Sequence, residues 1–177
     1  MNNKINQNTK AICTMAMLIA IAFILGSAAI RIGATIKISF KFLPTFISAV
    51  FFGPLWGGMC GLLSDALAYL INPGSGPYLI QIGLVEFLYG LSYGIFFYKA
   101  NELNKKNVVK VIICIILNTL ILSLGTMSVI LMDLTNTTFV QVLITRIPSS
   151  LLNMLLQISG LCVLLKYMPA LKKISKI

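Results

Sequence analysis

The sequence predicts an all-α integral membrane protein, a bundle of six membrane-spanning helices with both termini on the cytoplasmic side. Composition is the first observation behind this. The chain is 58% hydrophobic and only 10% charged, against roughly 25% charged in soluble domains, and its mean hydropathy is +0.96. The second is that six apolar stretches fill nearly all of the 177 residues. A span takes about 20 mostly apolar residues, so 1–177 is expected to form a single membrane domain with no room for a soluble one. The third is the distribution of Lys and Arg, which sets the orientation.

The stretches run roughly 11–30, 42–52, 54–71, 80–98, 108–131 and 139–166. The first follows Lys4 and Lys10 and is longer than the apolar core of a cleaved signal peptide, so it reads as a retained helix. The second is short and reaches only partway across. Gly53-Pro54 breaks it from the third with almost no loop. Asn72-Pro73-Gly74-Ser75-Gly76-Pro77 is a turn cluster before the fourth, and the polar run Lys99–Asn107 separates the fourth from the fifth.

Cytoplasmic loops carry the excess of Lys and Arg. With both ends inside, Lys4, Lys10, Lys99, Lys105, Lys106, Lys110, Lys166, Lys172, Lys173 and Lys176 are cytoplasmic. Arg31, Lys37 and Lys41 then fall in the first external loop, against the bias. The net charge of +10 is therefore mainly topological, with contact to anionic membrane lipid as a second use, and no nucleic acid partner is expected. Ile36-Lys37-Ile38-Ser39-Phe40-Lys41-Phe42 alternates apolar and polar residues, the period of an extended strand. That period puts Lys37, Ser39 and Lys41 on one side, either facing an anionic ligand or reaching to lipid headgroups.

Ionisable residues inside spans cost roughly 2.5–3.5 kcal/mol each on insertion scales and mark functional positions. Asp65, Glu86 and Arg146 are such residues, all in the external half, with Asn118 and Asn153 at middle depth. One reading pairs Asp65 or Glu86 with Arg146 to pin helices together. The other makes them a ligand cavity below Arg31, Lys37 and Lys41. In that cavity, carboxylates and amides bond an amino-substituted heterocycle and Arg forks onto a carboxylate. Phe40 and Tyr78 supply aromatic walls, a lid or interfacial anchors. Small residues four apart, in Ala16-x-x-x-Ala20, Gly53-x-x-x-Gly57-x-x-x-Gly61 and Gly90-x-x-x-Gly94, allow helices to approach closely.

Several chemistries fall away. The chain has no His, which removes Ser-His-Asp catalysis and HExxH zinc sites. Its four cysteines are scattered without a CxxC pair, and no Gly-Lys dipeptide supports a P-loop. No enzyme activity and no cofactor are expected, and any uphill work needs a partner or an ion gradient.

The ordered run of Ala16-x-x-x-Ala20, Ile36–Pro44, Phe52-Gly53-Pro54-Leu55-Trp56-Gly57-Gly58, Pro77-Tyr78 and Arg146-Ile147-Pro148 resembles one family. It is similar to the substrate-binding S components of energy-coupling factor (ECF) vitamin transporters, folate type, over about residues 11–167. The resemblance implies a protein of the bacterial cell membrane that binds a vitamin from outside, with the loops after the first and third helices as a gate. It implies docking on a transmembrane T component coupled to two cytoplasmic ATPases, with Ala16 and Ala20 as the docking motif. Folate suits the residues: Asp65, Glu86 or Asn118 would read the pterin edge, and Arg31, Lys37, Lys41 or Arg146 its carboxylates. An S component for another vitamin or a queuosine precursor, and a stand-alone ion-coupled carrier, remain open at this point.

Overall fold

The computed structural model describes residues 2–32, 36–71, 79–98, 105–135 and 137–175. Tyr78 lies outside them, as does the turn cluster 72–77. Among the described residues, the regular structure is helical apart from one small hairpin. α1 spans Asn2–Ser27, and two three-residue strands follow, β1 (Ile30–Ile32) and β2 (Ile36–Ile38). They pair antiparallel, with Arg31 opposite Lys37. Then come α2 (Phe42–Phe52), α3 (Pro54–Ile71) and α4 (Ile80–Phe97). α5 (Lys105–Leu117), a π-helical segment (Asn118–Thr126) and α6 (Met127–Thr135) form one continuous rod, and α7 spans Phe139–Ser175.

Among the described residues, five helical runs are long and apolar enough to cross a membrane, and α2 is a shorter apolar helix beside them. Local chemistry explains the break between α2 and α3. Gly53 has φ 102°, a region open to glycine at little cost. Pro54 then occupies the first position of α3, where its missing N–H is not needed. Pro44 is likewise tolerated in the first turn of α2.

Several boundaries differ from the sequence reading. α1 begins in the polar N-terminal residues and stops at Ser27 rather than Ile30, because Ile30 belongs to the hairpin. The strand expected over 36–42 covers only Ile36–Ile38. α7 runs from Phe139, with Pro148 internal to it, and extends past Lys166 to Ser175. The largest surprise is the π segment. Residues five apart on an α-helix lie about 140° apart in projection, whereas i→i+5 bonding stacks them on one side. Asn118 and Ser123 share a side for this reason, and Thr126 Oγ1 donates to the Ile121 carbonyl five residues back, at 3.1 Å.

Lipid is as apolar as a leucine core, so close packing rather than water exclusion holds such a bundle. α3 and α4 show it best: a β-carbon on Gly90 would run into the Gly57 carbonyl, and one on Gly61 would lie 2.5 Å from the Glu86 carbonyl. The main core cluster joins α2, α4, α5 and α7. There Phe46 meets Tyr93 edge-on at 5.8 Å and Phe97 at 5.3 Å. Around this core the other end of the bundle opens into a cavity.

Candidate ligand cavity

The cavity holds about 610 Å³ and is lined from α1, α2, α3, α4, the π segment, α6 and α7, within the range of small-molecule sites. Asp65 lies six residues before the end of α3, and Glu86 six after the start of α4. At 1.5 Å per residue both are about 9 Å below the same end of the bundle. Arg146, seven residues into α7, reaches a similar level. All three line the cavity, together with Lys41.

Their pairing differs from the expected one. Asp65 and Glu86 both converge on Lys41, whose Nζ lies 3.6 Å from Asp65 Oδ1 and 3.3 Å from Glu86 Oε2. Lys41 reaches them because it stands at the N-cap of α2 in helical geometry (φ −54°, ψ −28°), not in a strand alongside Lys37. Arg146 Nε is buried with no hydrogen-bond partner. A buried donor left unmade costs about 1–3 kcal/mol, and Arg146 is also one of the residues that line the cavity.

The remaining expected residues are distributed as follows. Arg31 and Lys37 occupy paired backbone positions in the hairpin, and their side chains lie outside the described set. Phe40 is 40% exposed, with its ring 6.5 Å from that of Phe42; Phe42, not Phe40, lines the cavity. Asn118 is buried behind the wall rather than in it. Its side-chain amide donates to Ser92 Oγ at 2.8 Å and its backbone carbonyl accepts from the Tyr89 hydroxyl at 3.5 Å. Ala16 and Ala20 are exposed on α1.

Sequence reasoning named Arg146 and Asn153 but missed the polar ladder to which they belong. Arg146, Ser149, Ser150, Asn153 and Gln157 all line the cavity from one side of α7. Their spacing of three and four residues was a legible helical signal. Ser150 meets Ser123 of the π segment, oxygen to oxygen at 3.0 Å, and Gln157 accepts from the Tyr93 hydroxyl at 3.1 Å. The cavity therefore combines four charged groups near its mouth with neutral hydrogen-bonding groups farther down and aromatic rings between. Such a set can offer hydrogen bonds to a polar heterocycle and charge to an anionic group; among these residues it offers no nucleophile–base pair.

Comparison with known proteins fits that chemistry. Residues 10–165 match the family model described as ECF transporter, substrate-specific component. The chain is 35% identical over 108 residues to the folate transporter FolT of Clostridium novyi (strain NT), covering 61% of this chain and 55% of that protein. It is 37% identical over 89 residues to the folate transporter FolT of Streptococcus mutans serotype c, covering 49% and 46%. The chain thus spans about half the length of the curated relatives it matches. A solved structure described as FolT bound with folic acid superimposes with a TM-score of 0.78 at 26% identity, covering 89% of this chain and 93% of that one.

Proposed function

The chain belongs to the substrate-specific components of ECF transporters, multi-pass proteins of the cell membrane, and from that premise we propose that it captures folate. It takes the vitamin from the external side and delivers it by docking on a T component driven by two cytoplasmic ATPases. The hairpin end of the bundle faces out and both termini face the cytoplasm, the orientation that places most Lys and Arg inside.

One observation carries the ligand assignment: a buried, unpartnered Arg146 Nε in the same cavity as two carboxylates. Folate has both complements. Its glutamate tail supplies carboxylates for Arg146, and its pterin supplies N–H donors for Asp65 or Glu86 and ring faces for Phe42 and Tyr89. The likeness to FolT of two species and to the folic acid-bound structure supports the same choice. Exposed Ala16 and Ala20 give α1 a flat strip suited to close helix–helix contact with the T component.

Reconstitution in liposomes tests the whole reading. Folate enters only when the T component and both ATPases are present with ATP, while binding alone needs neither. Folate uptake by the protein alone, driven by an ion gradient, would replace this reading with that of an independent carrier.

A further inference from the structure

The rod formed by α5, the π segment and α6 changes its buried face partway along. Val111, Cys114 and Ile115 of α5 are buried, and Asn118, Thr119 and Leu122 continue that face at steps of three and four residues. Continued in the same way on an α-helix, the face would next include Thr126, Val129 and Asp133. Thr126 and Asp133 are exposed, and Val129 is 47% exposed. The inward positions are instead Ser123, Met127 and Leu131, which line the cavity, with Ser128 and Ile130 buried beside them.

One extra residue accounts for the change. Asn118 to Ser123 is a step of five, and Met127 and Leu131 follow Ser123 at steps of four. Leu117 and Met127, which flank the π segment, both have α-helical backbone angles, and the Met127 N–H donates to the Leu122 carbonyl five residues back. The rod therefore runs on without a break while i→i+5 bonding takes up the added residue, as it does in the π-bulges found at functional sites. Beyond it, Met127 and Tyr89 pack against the buried Val85, Leu122 and Ile130. Val85, Tyr89, Met127 and Leu131 all line the cavity, giving it a largely apolar side built from α4 and α6.

We propose that Met127 and Leu131 contact the ligand, turned to it by the one extra residue in the π segment, and that with Val85 and Tyr89 they form the wall on which a ring of the ligand lies. A polarisable thioether packs well against an aromatic face, so the wall suits either ring system of folate. The π segment is on this account a positioning element that decides which face of α6 the ligand meets. The proposal deepens the folate reading and rests on it for the identity of the rings.

Deletion and insertion at one place separate this arrangement from an ordinary helix. In a plain α-helix, removing or adding a residue turns everything beyond it by about 100° in opposite senses, and the two changes should do similar harm. Here, deleting Ile121, which is 59% exposed, brings Asn118, Ser123, Met127 and Leu131 to steps of four. The rod can then become α-helical with the same face inward. Inserting one alanine after Ile121 turns that face away. By calorimetric titration, the deletion variant should bind folate within about threefold of wild type, and the insertion variant at least about tenfold more weakly, or about 1.4 kcal/mol. Met127→Ala should weaken folate binding about fivefold or more, and Val129→Ala should leave it unchanged. Equal effects of deletion and insertion, or a loss in Val129→Ala with none in Met127→Ala, would overturn the proposal.

Thermal unfolding of the ligand-free proteins gives a second readout. The midpoint should stay close to that of wild type in the deletion variant and fall in the insertion variant; a deletion variant that does not fold overturns the proposal. Wild type that binds no folate defeats the ligand assignment, and these midpoints then decide the register by themselves.

Discussion

The Tyr93 hydroxyl donates to Gln157 Oε1 at 3.1 Å, joining α4 to α7 where the cavity meets the core. Tyr93 is 1% exposed, and its ring packs edge-on against Phe46. The side chain therefore serves both regions, its ring the core and its hydroxyl the cavity. Tyr93→Phe keeps the ring and removes the hydrogen bond. It should lower stability by about 1 kcal/mol, read as a reduced unfolding midpoint of the ligand-free protein in detergent.

Gly90 tests the packing of α3 against α4. A methyl group there meets the Gly57 backbone, which cannot move without separating the two helices that carry Asp65 and Glu86. Gly90→Ala should cost about 1–3 kcal/mol, as overpacking typically does, and weaken folate binding with it. Gly90→Leu should leave little folded protein by size-exclusion chromatography. Normal stability in Gly90→Ala would mean that the helices tolerate a wider spacing.

Asn118 separates support from contact. Its amide is occupied by Ser92 at 2.8 Å and sits at the start of the π segment, behind the cavity wall. Asn118→Ala should destabilise the protein by about 1–3 kcal/mol, the cost of stranding a buried polar partner. Its effect on folate affinity at a temperature where the protein stays folded should be smaller than that of Arg146→Ala. A loss of binding equal to that of Arg146→Ala at unchanged stability would put Asn118 in contact with the ligand.

Particular residues show what a single sequence can convey. Asp65, Glu86 and Arg146 were legible because a charge within an apolar span has few reasons to be there. The Gly53-Pro54 break was legible because both residues restrict the backbone in known ways. The partner of the two acids was not. Alternation over 36–42 suggested a strand that includes Lys41, but helix α2 captures that residue and turns its side chain to α3 and α4. The π segment has no periodic signature comparable to that of an α-helix or a strand, so the positions of Asn118 and Ser123 relative to each other were out of reach. Tyr93 reads as one more apolar residue of a span until Gln157 appears opposite its hydroxyl.

Ala16 and Ala20 carry a prediction about delivery alone. Both are exposed on α1 and away from the cavity lining. Ala16→Trp and Ala20→Trp should leave folate affinity unchanged while blocking ATP-driven uptake in liposomes that contain the T component and ATPases. Normal uptake in both variants would place the docking surface on another helix.

Capture of folate in this cavity is tested most directly by calorimetric titration of the purified, ligand-stripped protein, with thiamine and riboflavin as controls and Arg146→Ala in parallel. One-to-one binding of folate without ATP or sodium, no response to the two controls, and at least about tenfold weaker binding by Arg146→Ala are predicted. A folded wild type that ignores folate, or a folded Arg146→Ala variant that binds it as tightly as wild type, would contradict the assignment.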